Sequence, residues 1–326
     1  MLIFSLTVIV GLVLLIWSSD KFVDGAASIA RIMGISPLIV GMLIIGLGTS
    51  APEMLVSGAA ALQGNPALGI GNALGSNITN ITMVLGFTAA FYMLPVHSQL
   101  LKQELPLVLA SAVLAWVLML DGYFSFVDAV ILLVALAFVL SWMMISVKQQ
   151  AKNHDPLIDE SIEELPEKLP LKQSVFWTIA GLLLLLVSSK MLVWGASNIA
   201  SQMGISDLVI GLTIVAIGTS LPELAATISS ARKGETDLAV GNIVGSNLFN
   251  TLAVLAIPGI IQPLKLPADV LSRDMPIMLV LTVILLIFSI GCFKNSRYKI
   301  TRFKGLVLLL AFFAYETLIF FQVTSS

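Results

Sequence analysis

Glu53 and Glu223 each interrupt a long apolar run, in the strings GLGTSAPE (46–53) and AIGTSLPE (216–223). On a helix Thr49 and Glu53 are one turn apart and share a face, as do Thr219 and Glu223. Pro52 and Pro222 lack an N–H, which frees the carbonyls of Gly48 and Gly218. Two further strings, GNALGSNITN (71–80) and GNIVGSNLFN (241–250), place Asn72, Ser76 and Asn80, and Asn242, Ser246 and Asn250, at four-residue spacing. Carboxylates, hydroxyls, amide oxygens and freed carbonyls are hard ligands, suited to Ca²⁺ and Na⁺ rather than zinc or copper. An ionised glutamate at a bilayer centre costs at least ~2.5–3.5 kcal/mol. Neither motif contains a Lys or Arg, so a mobile cation is the natural counter-charge.

Composition places these residues in a membrane. The 326-residue chain is 58% hydrophobic and 11% charged, with mean hydropathy +1.01. Soluble domains carry about 25% charged residues. Repeated apolar stretches of roughly 20 residues fit spanning helices. The alternation of a membrane barrel is absent. Net charge is −2, without a basic patch for nucleic acid. Cys292 stands alone, and His97 and His154 have no ligand pattern around them, which excludes an internal disulfide and a thiolate or histidine metal cluster. No nucleophile–base pair suggests an enzyme, and no cofactor is expected.

Sliding the chain until Glu53 falls on Glu223 lays the second half on the first, with 27 identities in the 64 positions of 25–88 against 195–258. This repeat also argues against a signal peptide at Met1 to Ser18, because the first helix has a counterpart. The periodicity predicts five helices per half: about 2–32, 36–62, 67–93, 102–120 and 125–147, then 173–202, 206–231, 238–262, 273–292 and 304–322. The expected organisation is a first repeat over 1–147, a cytoplasmic linker over 148–172 and a second repeat over 173–326. Five crossings turn the second half over, so the fold class is an all-α membrane protein of ten transmembrane helices in two inverted five-helix repeats, as in many secondary transporters.

Odd-numbered loops contain 13 Lys and Arg residues and even-numbered loops contain 2, which puts the odd loops and the linker in the cytoplasm and both termini outside. The acidic run Asp159, Glu160, Glu163, Glu164 and Glu167 reads as a solvated loop. Lys21 is expected to pair with Asp20 or Asp24 near a membrane surface, and Lys190 to snorkel. Glu316 reads as interfacial. Gly41, Gly58, Gly69 and Gly86 read as close-packing positions, with Ser57, Thr79 and Thr82 alongside them. Asn77 and Asn247 either bond the bent backbone or touch an ion.

The doubled GTSxPE and GNxxGSNxxN motifs resemble the two α-repeats of the Ca²⁺/cation antiporter superfamily, most closely its prokaryotic sodium/calcium exchanger branch with the YrbG-like members. The resemblance extends over nearly the whole chain. It implies alternating access, with Na⁺ and Ca²⁺ competing for overlapping sites and the long first helix of each half sliding. It implies as ion ligands Thr49, Ser50, Glu53, Ser76 and Asn80, with Thr219, Ser220, Glu223, Ser246 and Asn250. Exchangers of this type often carry an aspartate at the position of Asn250, so here the central charge rests on two glutamates. The linker has no room for the Ca²⁺-sensing domains of animal exchangers. The expected partners are Ca²⁺, Na⁺ and the lipid bilayer of a prokaryotic inner membrane, with no obligatory protein partner. A Ca²⁺/H⁺ or K⁺-dependent antiporter in the same scaffold stands as an alternative, and a cation channel lined by acids as a further one.

The loop charges make the topology testable. A cysteine placed between residues 148 and 172 is expected to be shielded from an impermeant thiol reagent applied to intact cells; labelling from outside would reverse the orientation.

Overall fold

The structure is a computed structural model that describes residues 1–96, 100–153, 169–204, 216–290 and 298–325. His97, His154, the acidic run 159–167, Ser206, Cys292, Lys294 and Arg297 lie outside the described residues.

The first half comprises α1 (Leu2–Met33), α2 (Pro37–Leu62), α3 (Pro66–Thr79, continued through Asn80–Leu85 to Gly86–Phe91), α4 (Leu100–Met119) and α5 (Phe126–Asn153). The second comprises α6 (Leu171–Gln202), α7 (Ala216–Thr219 and Leu221–Arg232), α8 (Thr236–Ile261), α9 (Val270–Ile290) and α10 (Arg302–Ser325). Helix α5 runs on to Asn153 and α6 starts at Leu171, so both ends of the expected linker are helical. Among the described residues eight helices are long and apolar enough to cross a membrane. The other two are α3, with its polar stripe, and α7, whose expected start at 206–215 is not described.

Local chemistry sets the ends. Pro37 and Pro66 open α2 and α3, where a missing N–H costs nothing. The Asn65 side chain accepts from the Leu68 N–H at 3.4 Å, capping α3. Gly34 and Gly204, and Gly64 and Gly234, all have φ between 63° and 84°. These left-handed positions reverse the chain after a helix, and the members of each pair stand at matching positions of the two halves.

Two short ribbons fix the relation of the halves. Strand β1 (Leu94–Pro95) pairs antiparallel with β4 (Lys299–Ile300), and β2 (Tyr123–Phe124) with β3 (Leu264–Lys265). Between β1 and β2 runs α4, whose 20 residues span about 30 Å, so the ribbons lie at opposite faces. Since β3 is the repeat counterpart of β1, the repeats are inverted.

Helices α3 and α8 form the centre of the core. Of the most apolar part of α8, 89% is buried, against 22% of α1. Helices α1 and α6 pack antiparallel along their length outside this core. Edge-on aromatic pairs lie along the contact, Phe4 with Trp194 at 5.1 Å and Trp17 with Trp177 at 5.7 Å.

Of the four glycines expected to permit close packing, Gly41, Gly69 and Gly86 have no room for a side chain: a Cβ would lie 2.7 Å from the Leu238 carbonyl, 2.6 Å from Pro258 and 3.0 Å from the Leu309 nitrogen respectively. Gly58 has ordinary space, with Ile257 at 3.5 Å. The tightest approach to backbone joins α2 to α8, where a Cβ on Gly245 would meet Met42 backbone atoms at 2.5–2.9 Å. Gly245→Ala is therefore expected to lower stability by about 1–3 kcal/mol, read as melting temperature in detergent, while Gly58→Ala is tolerated. Equal melting temperatures for the two variants would contradict the α2–α8 contact.

Candidate functional site

The site grows from two broken helices. In α2 the helix stops at Thr49, Ser50 adopts φ −78° and ψ 0°, and a new helix starts at Ala51 with Pro52 in its first turn. In α7 the break falls at Ser220, φ −91° and ψ 5°, with Pro222 in the next first turn. Each break leaves a glutamate, Glu53 or Glu223, in the first turn of the following segment, where the positive end of the helix favours negative charge.

A second irregularity was not legible in the sequence. The wider π-type turn occupies Gly41–Gly46 of α2, Asn80–Leu85 of α3 and Asn250–Val254 of α8. Asn80 and Asn250 each stand at the first residue of such a segment. Single π-turns are frequent at functional sites because they displace side chains and loosen backbone bonding.

Thr49 crosses between the repeats. Its hydroxyl donates to Asn242 Oδ1 at 3.1 Å and lies 3.3 Å from Ser246 Oγ, and Ser246 Oγ donates to the Gly46 carbonyl at 3.3 Å. The first-half break is thus joined directly to the polar stripe of α8. In the mirrored arrangement, residues 216–219 of α7 pack against α3. The carboxylates of Glu53 and Glu223 lie within electrostatic reach of each other.

Most of the expected ligands share one property. Thr49, Ser50, Glu53, Ser76, Asn80, Ser220, Glu223, Ser246 and Asn250 are all buried. Both carboxylate oxygens of Glu53 and of Glu223, the hydroxyls of Ser50 and Ser220, and both amide atoms of Asn80 and Asn250 have no hydrogen-bond partner in the protein. A buried polar atom left unpaired costs several kcal/mol in an apolar medium. These orphaned oxygens fit a bound hard cation. Thr219 instead borders a cavity of about 390 Å³ between α2, α6 and α7, lined also by Pro52, Gly218, Ser197 and Asn198.

The repeat counterparts of this lining are closed over. Val56, Val193 and Ser197 line the cavity, whereas Ala226, Val23 and Ala27 are buried in a cluster where α1 packs on α7.

Other side chains brace the breaks. Asn72 Nδ2 donates to the Glu53 carbonyl at 3.2 Å and to Ser57 Oγ at 3.0 Å. Asn242 Nδ2 donates to the Glu223 carbonyl at 3.1 Å and to Thr227 Oγ1 at 2.8 Å. Ser57 is therefore a bracing residue and not only a packing one. The hydroxyl pair Ser57 and Thr227, at matching repeat positions, was the sequence signal for this role. The freed Gly218 carbonyl accepts from Ser189 Oγ of α6 at 2.9 Å. Asn77 donates to Thr251 Oγ1 at 2.8 Å and to Met278 Sδ at 3.3 Å, a packing bond rather than a backbone one. Asn247 has no such partner. Near the surface, Asp20 and Asp24 pair with Arg232 and Lys233 of α7, not with Lys21, which lies over the Trp177 ring at 5.4 Å. Asp274, unremarked in the sequence, bonds Arg273 at 2.7 Å and Tyr315 at 3.1 Å, tying α9 to α10.

Comparison with known proteins agrees along the whole chain. The sodium/calcium exchanger protein family matches residues 3–145 and 173–321. The chain is 47% identical to the putative antiporter CaxA of Alkalimonas amylolytica, over 98% of this chain and 99% of that one. It is 40% identical to the inner membrane protein YrbG of Escherichia coli K12, over 91% and 90%. The sodium-calcium exchanger NCX_Mj, solved after soaking with Na⁺ and Ca²⁺, superposes with a TM-score of 0.80 at 32% identity, covering 97% of each chain.

Bracing and orphaned asparagines should behave differently. Asn242→Ala removes three bonds from a fully buried network and is expected to lower the stability of ion-free protein by about 1–3 kcal/mol. Asn250→Ala removes none and should cost much less, as read by thermal unfolding without Na⁺ or Ca²⁺. The reverse order would reject this division of roles.

Proposed function

This chain belongs to the sodium/calcium exchanger family, and from that premise we propose that it exchanges Ca²⁺ for Na⁺ through a central site built on Glu53 and Glu223. The observation that carries the assignment is a pair of buried carboxylates, one from each repeat, whose four oxygens have no partner in the protein. Thr49, Ser50, Ser76, Asn80, Thr219, Ser220, Ser246 and Asn250 complete the oxygen shell around them.

The charge arithmetic gives the coupling. Two carboxylates neutralise one Ca²⁺, and the same oxygens accept Na⁺ ions in its place. Without a cation the doubly negative site is expensive to enclose in a dry interior. Closure over the site therefore follows occupancy, and each ion leaves only when another replaces it. Neutral oxygens suit this role because they can trade ligands between Ca²⁺ and Na⁺ without changing the site's charge. Asn250 keeps that charge at two, whereas a third carboxylate there would demand a further cation or proton.

Sidedness follows from the loop charges. With the odd loops and the segment joining the repeats in the cytoplasm, both termini lie outside. The cavity beside Thr219, reached past the end of α6, then faces outward and serves as the ion path. The relative YrbG, an inner membrane protein by name, supports placement in a prokaryotic inner membrane.

Purified protein in liposomes provides the test. An imposed Na⁺ gradient is expected to drive ⁴⁵Ca²⁺ uphill, and K⁺ or H⁺ gradients alone are not. Glu53→Gln and Glu223→Gln should each reduce that flux to background while the protein still inserts, since Gln keeps the shape but loses the charge. Normal flux in either variant would remove that glutamate from the site.

A further inference from the structure

The two long helices α1 and α6 are repeat counterparts, but they are not held alike. Asp20 of α1 accepts from Ser229 Oγ and from Arg232 Nη2, both at 2.5 Å, and its backbone carbonyl accepts from Lys233 Nζ at 2.8 Å. Lys233 also forms an ion pair with Asp24, one turn further along α1. These groups are partly sheltered, with 20–50% of each side chain exposed. All four contacts fasten α1 to the end of α7, over the closed side of the site.

The repeat-related positions carry none of this chemistry. Lys190 and Trp194 of α6 stand where α1 has Asp20 and Asp24, and Ala59, Leu62 and Gln63 of α2 stand where α7 has Ser229, Arg232 and Lys233. Among the described residues no ion pair joins α6 to α2. Lys190 and Trp194 instead line the open cavity. Were α6 to close over α2 as α1 closes over α7, Lys190 would approach Leu62 and Gln63, neither of which is an anion.

We propose that the Asp20–Asp24–Arg232–Lys233 cluster is a one-sided latch that sets which face of the exchanger rests open in the absence of ions. Closure on the α1 side gains several charge-assisted bonds, and closure on the α6 side gains none. An alternating-access protein assembled from two similarly folded halves would otherwise have two closed forms of similar energy. The latch breaks that balance in favour of the form with the α6 cavity open. The inference rests on the exchange reading only in assuming that both forms exist.

Two repeat-equivalent reporters read the balance: Val56→Cys, in the cavity, and Ala226→Cys, beneath α1, each in protein whose Cys292 is replaced by Ser. Alkylation rates by a polar maleimide are measured in lipid nanodiscs without Na⁺ or Ca²⁺, so the result does not depend on the ion ligands. Combining Asp20→Asn with Asp24→Asn is expected to raise the rate at 226 relative to 56 by roughly three- to tenfold, the shift that ion pairs of this exposure can carry. High salt should move the parent protein in the same direction. The exchanged pair Asp24→Lys with Lys233→Asp should return the ratio toward that of the parent. A ratio unchanged by neutralisation, rates that rise together at both positions, or an exchanged pair that labels like the neutralised protein would each overturn the latch. Loss of Ca²⁺ flux in the glutamate variants leaves these rates untouched, and failure of the latch leaves the flux assignment standing.

Discussion

A carboxylate enclosed in a membrane protein must be balanced, and much of this structure follows from having two. Glu53 and Glu223 are both buried, without a cationic side chain in either motif. Helix breaks at Ser50 and Ser220 place both glutamates at the start of a new segment, where backbone N–H groups favour negative charge. The asparagines of the adjoining helices brace the breaks through the glutamates' own carbonyls. Glycine faces on α2 and α8 then let backbones touch, which closes the irregular segments off from lipid.

The architecture divides the work between a braced centre and a less buried pair. Helices α3 and α8 carry the polar stripes and lie at the middle of the core. Helices α1 and α6 pack on each other outside it, and their polar contacts to the rest include Ser189 to the broken turn of α7, and Asp20 and Asp24 to its end. Such contacts can be exchanged without rebuilding the core, as two arrangements of one pair of helices require.

Sequence reasoning reached the fold because the repeat was strong. The single offset that lays Glu53 on Glu223 carried the helix pattern, the turn glycines and both motifs together. The odd number of helices per half implied inversion, which the crossed ribbons display. The site was legible as a set of residue types, since oxygen ligands without thiolate or imidazole leave little other chemistry open. Distances and roles within it were not. Asn72 and Asn242 share a stripe with the orphaned Asn80 and Asn250, yet they bond backbone, a difference made by helix crossings that no spacing reveals. The π-turns leave no residue signature. The partners of Asp20 and Asp24 come from the other half of the chain, so their local neighbour Lys21 was a misleading guide.

The two small ribbons bear on how the chain is made. Strand β1 finds its partner only in the approach to the last helix, and β2 waits for the end of α8. Neither half can complete its own edges during synthesis. The first five helices must stay in the membrane with these strands unpaired until the second half arrives, and α3 remains without α8 against its apolar face. The ribbons are the seam that joins the two inverted halves of one polypeptide.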